Sequence, residues 1–418
     1  MTVSELFESR KNNPIWNTSY PLNPEDWAPY RITGPLPFQQ DEQLSFYIHI
    51  PFCRQLCSFC EYTRMLCPDE ESQKKYLRII ARDIEEFKCE HPDITLLGFD
   101  IGGGTPTSLS ETAFSFLIEL YQKAIEGLSL GTDFEPSIEG TFNTLSIPKL
   151  EAIANSGIAR LSLGVQSSNC EVLQRHHRTG NDESKMLFWI QTASSLGIRK
   201  VNLDFMYGLS GQDASSIDRD LEIISRLQPQ QVTLYEMRDN MVKSGMRYSK
   251  EDLYLQYSRY YKGLKSLGYV SRFGQNTFSK DPDDLGLSSY LRTRMINRAS
   301  YKGFGMSAQS MSSSGLSYNI GKLDEHPEDS LDEIAFSERY TYILPPKEMA
   351  AKYLAISAYF GAFSIDNLTH LGVDDETFRE RLDFCLANDL FCDSGVGLLY
   401  ITPKGFMHYG AVFSLLYD

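Results

Sequence analysis

The sequence predicts an α/β protein built on a partial (β/α)6 TIM-type barrel, and three observations lead there. Apolar, β-rich runs alternate six times with stretches whose apolar residues recur every three to four positions. The spacing is too even for two separate dinucleotide-binding halves. The length of 418 residues suffices for one barrel with an appendage. Such a barrel joins parallel strands by right-handed crossovers and carries its function at their carboxyl ends.

Residues 1–43 read as an irregular leader, because Pro14, Pro21, Pro24, Pro29, Pro35 and Pro37 interrupt any helix. Trp16 and Trp27 suggest that this leader docks on some other surface. The barrel with its extension follows over residues 44–344. Its strands are expected at FYIHI from Phe46, TLLGFDI from Thr95, PSIEGTF from Pro136, RLSLGV from Arg160, KVNLDFMYG from Lys200 and QVTLYEM from Gln231. Between them SQKKYLRIIARDIEEF, ETAFSFLIELYQKAI, IPKLEAIANSG, DESKMLFWIQTASSLG and ASSIDRDLEIISRL read as helices. From about Pro345 the pattern changes to a small, mainly helical domain of winged-helix style over residues 345–418. It carries few bases and several acids, which favours packing or covering a substrate over binding DNA.

Composition excludes several classes. Forty Lys and Arg against 55 Asp and Glu leave a net charge of −15, which repels phosphate backbones and anionic lipid. No nucleic-acid or membrane partner is expected. The start, MTVSELFESRKNNPIW, lacks the basic and apolar segments of a secretory signal, and no run of about 18 apolar residues occurs, so a cytoplasmic protein is expected.

The eight cysteines are too dilute for a disulfide framework. Cys67, Cys89, Cys170, Cys385 and Cys392 are scattered and read as small packed hydrophobes. Cys53, Cys57 and Cys60 instead lie within eight residues, spaced C-x3-C-x2-C after a strand, in a loop shaped by Pro51, Phe52, Phe59 and Tyr62. Three such thiolates can hold one side of a 4Fe-4S cubane and leave its fourth iron without a protein ligand. Zinc would need a fourth donor, for which His49 is the neighbour in sequence. The glycines of IGGGTPT, Ile101–Thr107, let backbone approach a ligand and offer its N–H groups, with a plain tight turn as the alternative. Glu139, Gln166, Arg178 and Asp204 stand where later strands end; each alone reads as a solvated group or helix cap, but together they can face one mouth.

The loop resembles that of radical S-adenosylmethionine (SAM) enzymes. YIHIPFC, DIGGGTPT, RLSLGVQS, LDFMYGL and GFGMSAQSM resemble the branch typified by oxygen-independent coproporphyrinogen III oxidase, from roughly Tyr20 to the C-terminus. The resemblance implies that Cys53, Cys57 and Cys60 hold the cluster and that Gly103, Gly104 and Thr105 meet the amino and carboxylate ends of SAM. It implies further SAM contacts from Phe59, Glu139, Gln166, Arg178, Asp204 and the backbone near Met206, with Tyr47 near the sulfonium. Gln309 falls at a contact position for a second SAM. Reduced flavodoxin or ferredoxin is the implied electron donor, and a small molecule the substrate.

Two features depart from the coproporphyrinogen pattern and one from that of the haem chaperones. Glu61 and Tyr62 follow Cys60 where a further Cys stands, Gln309 replaces an apolar residue, and RTRMINRASYKGFG lacks the haem-binding motif of the related haem chaperones. The expectation is an enzyme that cleaves SAM reductively to a 5′-deoxyadenosyl radical, for methyl or methylene transfer with a second SAM. The alternatives are oxidative decarboxylation of coproporphyrinogen III, another anaerobic tetrapyrrole step, or a non-enzymatic haem chaperone.

Overall fold

The computed structural model describes residues 1–11, 20–21, 24–237, 248–319, 338–373, 375–395 and 397–416. The leader is less irregular than its prolines suggest. Helix α1 spans Val3–Arg10, started by a capping box in which Thr2 and Glu5 bond each other's backbone N–H. The T-x-x-E signal was present, ahead of every proline. Trp27 does dock, at 2% exposure, whereas Pro14 and Trp16 lie outside the described residues.

All six predicted strands form: β1 (Gln43–Ile50), β2 (Thr95–Gly103), β3 (Ser137–Gly140), β4 (Arg160–Gln166), β5 (Lys200–Tyr207) and β6 (Gln231–Glu236). They pair in parallel in that order. The connecting helices α2 (Glu70–Glu90), α3 (Glu111–Ile125), α4 (Ile147–Ser156), α5 (Cys170–Arg175), α6 (Glu183–Ser195) and α7 (Ala214–Leu227) cover the outer face. The apolar stripes of all of these but α5 join Ile101, Leu163, Phe205 and Leu234 of the strands in one core, while Val172 of α5 packs in a smaller cluster with Met206. The alternate residues, such as Asp100, Ser162, Asp204 and Tyr235, point to the other face, which is the concave interior.

Helices α8 (Lys250–Ser266) and α9 (Ser289–Met295) and a further set of strands go beyond the predicted rhythm. β7 (Ser300–Phe304) adds a parallel strand on the free side of β1. The sheet then turns antiparallel through β8 (Gln309–Met311), β9 (Gly315–Asn319) and β10 (Glu338–Ile343) to Arg31–Ile32 of the leader. Because β6 ends against the short antiparallel strand Thr277–Ser279 and not against β10, the barrel stays open.

The C-terminal part begins with α10 (Pro346–Ala358), continues through α11 (Ile365–His370) and α12 (Glu376–Ala387), and ends in the short helices Pro403–Phe406 and Tyr409–Ser414. A small antiparallel sheet pairs Leu398–Ile401 with both Ala362–Ser364 and Phe391–Asp393. Cys385 is buried there, but Cys89, Cys170 and Cys392 are exposed, so the packing reading fails for those three. Cys89, for one, sits in the last turn of the long α2, beyond the stretch that faces the sheet. Among the described residues no helix is long and apolar enough to cross a membrane.

Candidate functional site

The three-thiol loop leaves the end of β1 and is held from several directions. Phe52–Cys53 pairs with Met65–Leu66, which closes the loop at its base. His49 supports it from below: Nε2 lies 2.9 Å from the Thr63 carbonyl, and burial lowers the ring's pKa to about 4. The residue considered as a fourth zinc ligand is thus engaged with the loop backbone. Among the described residues no three His, Cys, Asp or Glu side chains converge as one metal ion would require. The thiols of Cys53, Cys57 and Cys60 instead share the wall of a cavity of about 190 Å³. Burial pushes the Cys53 thiol up to about 11 and raises Cys60 as well, so thiolates form there only when a cation compensates them.

The ends of the other strands complete this cavity. Gly103, Gly104, Thr105, Glu139, Gln166, Arg178, Asp204, Met206 and Phe59 all line it with the thiols. Arg178 donates from Nη1 to the Cys57 sulfur at 3.6 Å and from Nη2 to the Gly164 carbonyl. Gln166 closes β4 at a register shift with φ of 72°, a left-handed conformation uncommon for a residue with a side chain. Gly103 has φ of 109°, and a Cβ there would stand 2.5 Å from the His49 ring.

The IGGGTPT turn differs from its reading in one respect. Its N–H groups serve the protein: Gly103 donates to Glu139 Oε2 at 3.2 Å, Gly104 to the Ile50 carbonyl at 2.7 Å and Thr105 to the Phe52 carbonyl at 2.8 Å. The Glu139 side chain, the last residue of β1 and the base of the thiol loop use these donors, which a glycine count does not reveal. A ligand at this turn finds those three N–H groups already engaged.

Acids crowd the floor. Glu139 presents surface to the cavity, yet its surroundings are protein, so burial and then the charges of Asp204 and Asp100 raise its pKa to about 8. Asp204 is also raised by burial, although Ser162 Oγ at 3.0 Å and Asn202 Nδ2 at 2.7 Å donate to it. Burial takes Asp100 to about 7. Arg160, fixed by Gln231 and Ser137, supplies the partial compensation.

A larger cavity of about 390 Å³ adjoins the first, sharing Gly103, Glu139 and Tyr235 in its wall. Tyr47 belongs to this second space. It stacks on Tyr290 with ring centroids 5.6 Å apart, and its hydroxyl lies 3.3 Å from His49 Nδ1. Gln309 also lines only this space, but its amide is satisfied within the protein. Oε1 accepts from Arg294 Nη2 at 3.0 Å and from the Tyr301 hydroxyl, while Nε2 donates to the Tyr318 hydroxyl at 2.9 Å.

The residues of the first cavity fit an iron–sulfur cluster with a small zwitterionic cofactor. Three thiols open onto one space, the Glu139 carboxylate lines it with Gly103 and Gly104 and can meet an amino group, and Arg178 offers a cation to a carboxylate. Arg178 Nε and Gln166 Oε1 are buried without a hydrogen-bond partner, as expected of groups that complete a ligand's shell.

The chain resembles known proteins in sequence and in fold. The profile of the Radical SAM superfamily matches residues 47–224. The haem chaperone HemW of Buchnera aphidicola is 31% identical over 194 residues, 46% of this chain and 50% of that protein. The oxygen-independent coproporphyrinogen III oxidase of Salmonella typhimurium is 30% identical over 221 residues, 52% of this chain and 48% of that protein. The chain thus spans about half the length of these curated relatives. In fold, the coproporphyrinogen III oxidase HemN of Escherichia coli matches over 91% of both chains with a TM-score of 0.74, at 20% identity.

Proposed function

From the premise that this chain carries a radical SAM domain, with coproporphyrinogen oxidases and haem chaperones among its relatives, we propose that it is an anaerobic radical enzyme acting on a carboxylate-bearing tetrapyrrole such as coproporphyrinogen III. The observation that carries the reading is the adjacency of two spaces. One is lined by three thiols and a set of polar strand ends, the other by tyrosines, Arg294 and Lys352, on a scale suited to a large organic acid.

Bound in the first space, the cluster and SAM would supply a one-electron reduction and a carbon radical that abstracts hydrogen. Cys53, Cys57 and Cys60 are the cluster ligands in this reading. Glu139 and the carbonyls of Gly103 and Gly104 hold the amino end of SAM, Arg178 its carboxylate, and Asp204 and Gln166 its remaining polar groups. Phe59 and the backbone near Met206 close the pocket around it. Tyr47, packed on Tyr290 in the adjoining space, faces substrate more than cofactor. The electron donor is reduced flavodoxin or ferredoxin.

Methyl transfer with a second SAM ranks below this reading. Gln309, the residue at the contact position for a second SAM, already has Arg294, Tyr301 and Tyr318 as partners. The relatives found also bear the names of tetrapyrrole proteins.

Anaerobically reconstituted protein, reduced with dithionite and given SAM and coproporphyrinogen III, should form 5′-deoxyadenosine and a decarboxylated product. Changing the three cysteines to Ala should abolish the cluster's charge-transfer absorbance and both products. Methylated product without decarboxylation would restore the methyl-transfer reading. Stable haem binding with SAM left intact would instead make the protein a chaperone.

A further inference from the structure

Two cations in the wall of the larger cavity hold neither the cluster nor SAM in the reading above. Arg294 comes from α9 and Lys352 from α10, and both line the same space. Lys352 is only 4% exposed, and its ammonium donates to the Tyr20 carbonyl at 2.8 Å. Arg294 is clamped by Gln309, by the Tyr290 hydroxyl at 3.3 Å and by the Tyr301 ring, 4.6 Å below its guanidinium carbon. Its Nε is buried without a hydrogen-bond partner.

Among the described residues neither cation is ion-paired. Glu348, one turn before Lys352, accepts from the Tyr20 hydroxyl at 2.7 Å and Trp27 Nε1 at 3.0 Å. Asp100 lines the same cavity but bonds Ser288 at 2.6 Å. Burial outweighs the attraction of Arg294 and Arg160 there, leaving Asp100 raised to about 7 rather than held low as a close ion pair would hold it. Like charge also acts between the two cations: after burial, Arg294 is what lowers Lys352, to about 7. With Arg294 half-buried and Lys352 buried in one wall, keeping both charged is costly unless an anion joins them.

We infer that Arg294 and Lys352 form a carboxylate-binding subsite that seats an acidic side group of the substrate in the larger cavity. The subsite rests on the proposed function for its substrate class. A planar guanidinium takes a carboxylate by two parallel hydrogen bonds, and the ammonium adds a charge that tolerates varied directions. The clamp by Gln309 and two tyrosines fixes the guanidinium before substrate arrives, which lowers the ordering cost of binding. Gln309 is then a positioning residue for Arg294.

The test uses cluster-loaded holoprotein under anaerobic conditions and two probes, coproporphyrin III and its methyl ester, in which every carboxylate is masked. Wild-type protein should bind the acid at least about tenfold more tightly than the ester, the scale of one charge-assisted contact. Arg294→Met and Lys352→Met should each remove most of that preference and leave ester affinity within about twofold, since the macrocycle's apolar contacts remain. Equal binding of acid and ester by wild type overturns the subsite and leaves the tetrapyrrole reading standing. Binding of neither probe removes the tetrapyrrole reading, and crystals soaked in sodium bromide then decide the subsite. Anomalous density between Arg294 and Lys352, absent in Arg294→Met, sustains it for another acid; no density there overturns it.

Discussion

Glu139 shows how one side chain can report on ligand chemistry. Its pKa of about 8 belongs to the ligand-free pocket, where burial and two nearby acids favour the proton. A cation arriving at the carboxylate favours the ionised form instead. Below pH 8 binding must therefore expel the proton from Glu139, and well above pH 8 there is none left to expel. SAM binding at pH 6.5, followed by calorimetry in two buffers of different ionisation enthalpy, should release close to one proton. The release should fall towards zero by about pH 9, one unit above the folded pKa. Glu139→Gln should show no release and at least about tenfold weaker binding, the value of one charge-assisted hydrogen bond.

Helix α9 acts as an element because of one glycine. A Cβ on Gly98 of β2 would stand 2.4 Å from the backbone nitrogen of Tyr290, so the helix rests directly on the strand. Ser289 and Ser288 fasten the same helix to the Glu135 backbone and to Asp100. That contact fixes the height at which Tyr290 and Arg294 enter the cavity. Gly98→Ala should cost about 1–3 kcal/mol, the usual range for overpacking. The melting temperature and denaturant midpoint measure this loss. The substitution should also weaken binding of coproporphyrin III while leaving iron content unchanged, because the thiol loop leaves a different strand.

At the scale of the molecule, the leader and the C-terminal part are not appendages. Phe7 and Trp27 lie in one apolar cluster with Tyr290, Met295, Tyr301 and Met311 of the extension and with Tyr353, Phe363 and Phe413 of the C-terminal part. Tyr20 and Trp27 also fix Glu348 and Lys352 on α10. Deleting residues 1–30 should therefore destabilise the whole chain by several kcal/mol, since burying each large apolar side chain is worth about 1.5–3 kcal/mol. A single cooperative melt, shifted down by several degrees, is the expected result. An unshifted melt would show that the leader is dispensable.

The sequence by itself determined what depends on local pattern. Six strands and five helices follow from periods of two and three to four residues, and the thiol loop follows from the spacing of Cys53, Cys57 and Cys60. Those signals survive because neighbours in sequence are neighbours in the element. β7 to β10 were not legible, since their buried faces carry Ser300, Ser310, Ser317 and Thr341, polar residues that read as surface. Helix α8 buries Tyr257 and Tyr260 where an aliphatic stripe would have announced it. Only the tertiary structure decided that the N–H groups of the glycine turn go to Glu139, Ile50 and Phe52, that Gln309 grips Arg294, and that Lys352 sits inside a wall. The reason is that burial and partnering of a polar group are set by segments far away in the chain. Tyr20 and Lys352 are more than three hundred residues apart, and no local pattern in either places one beside the other.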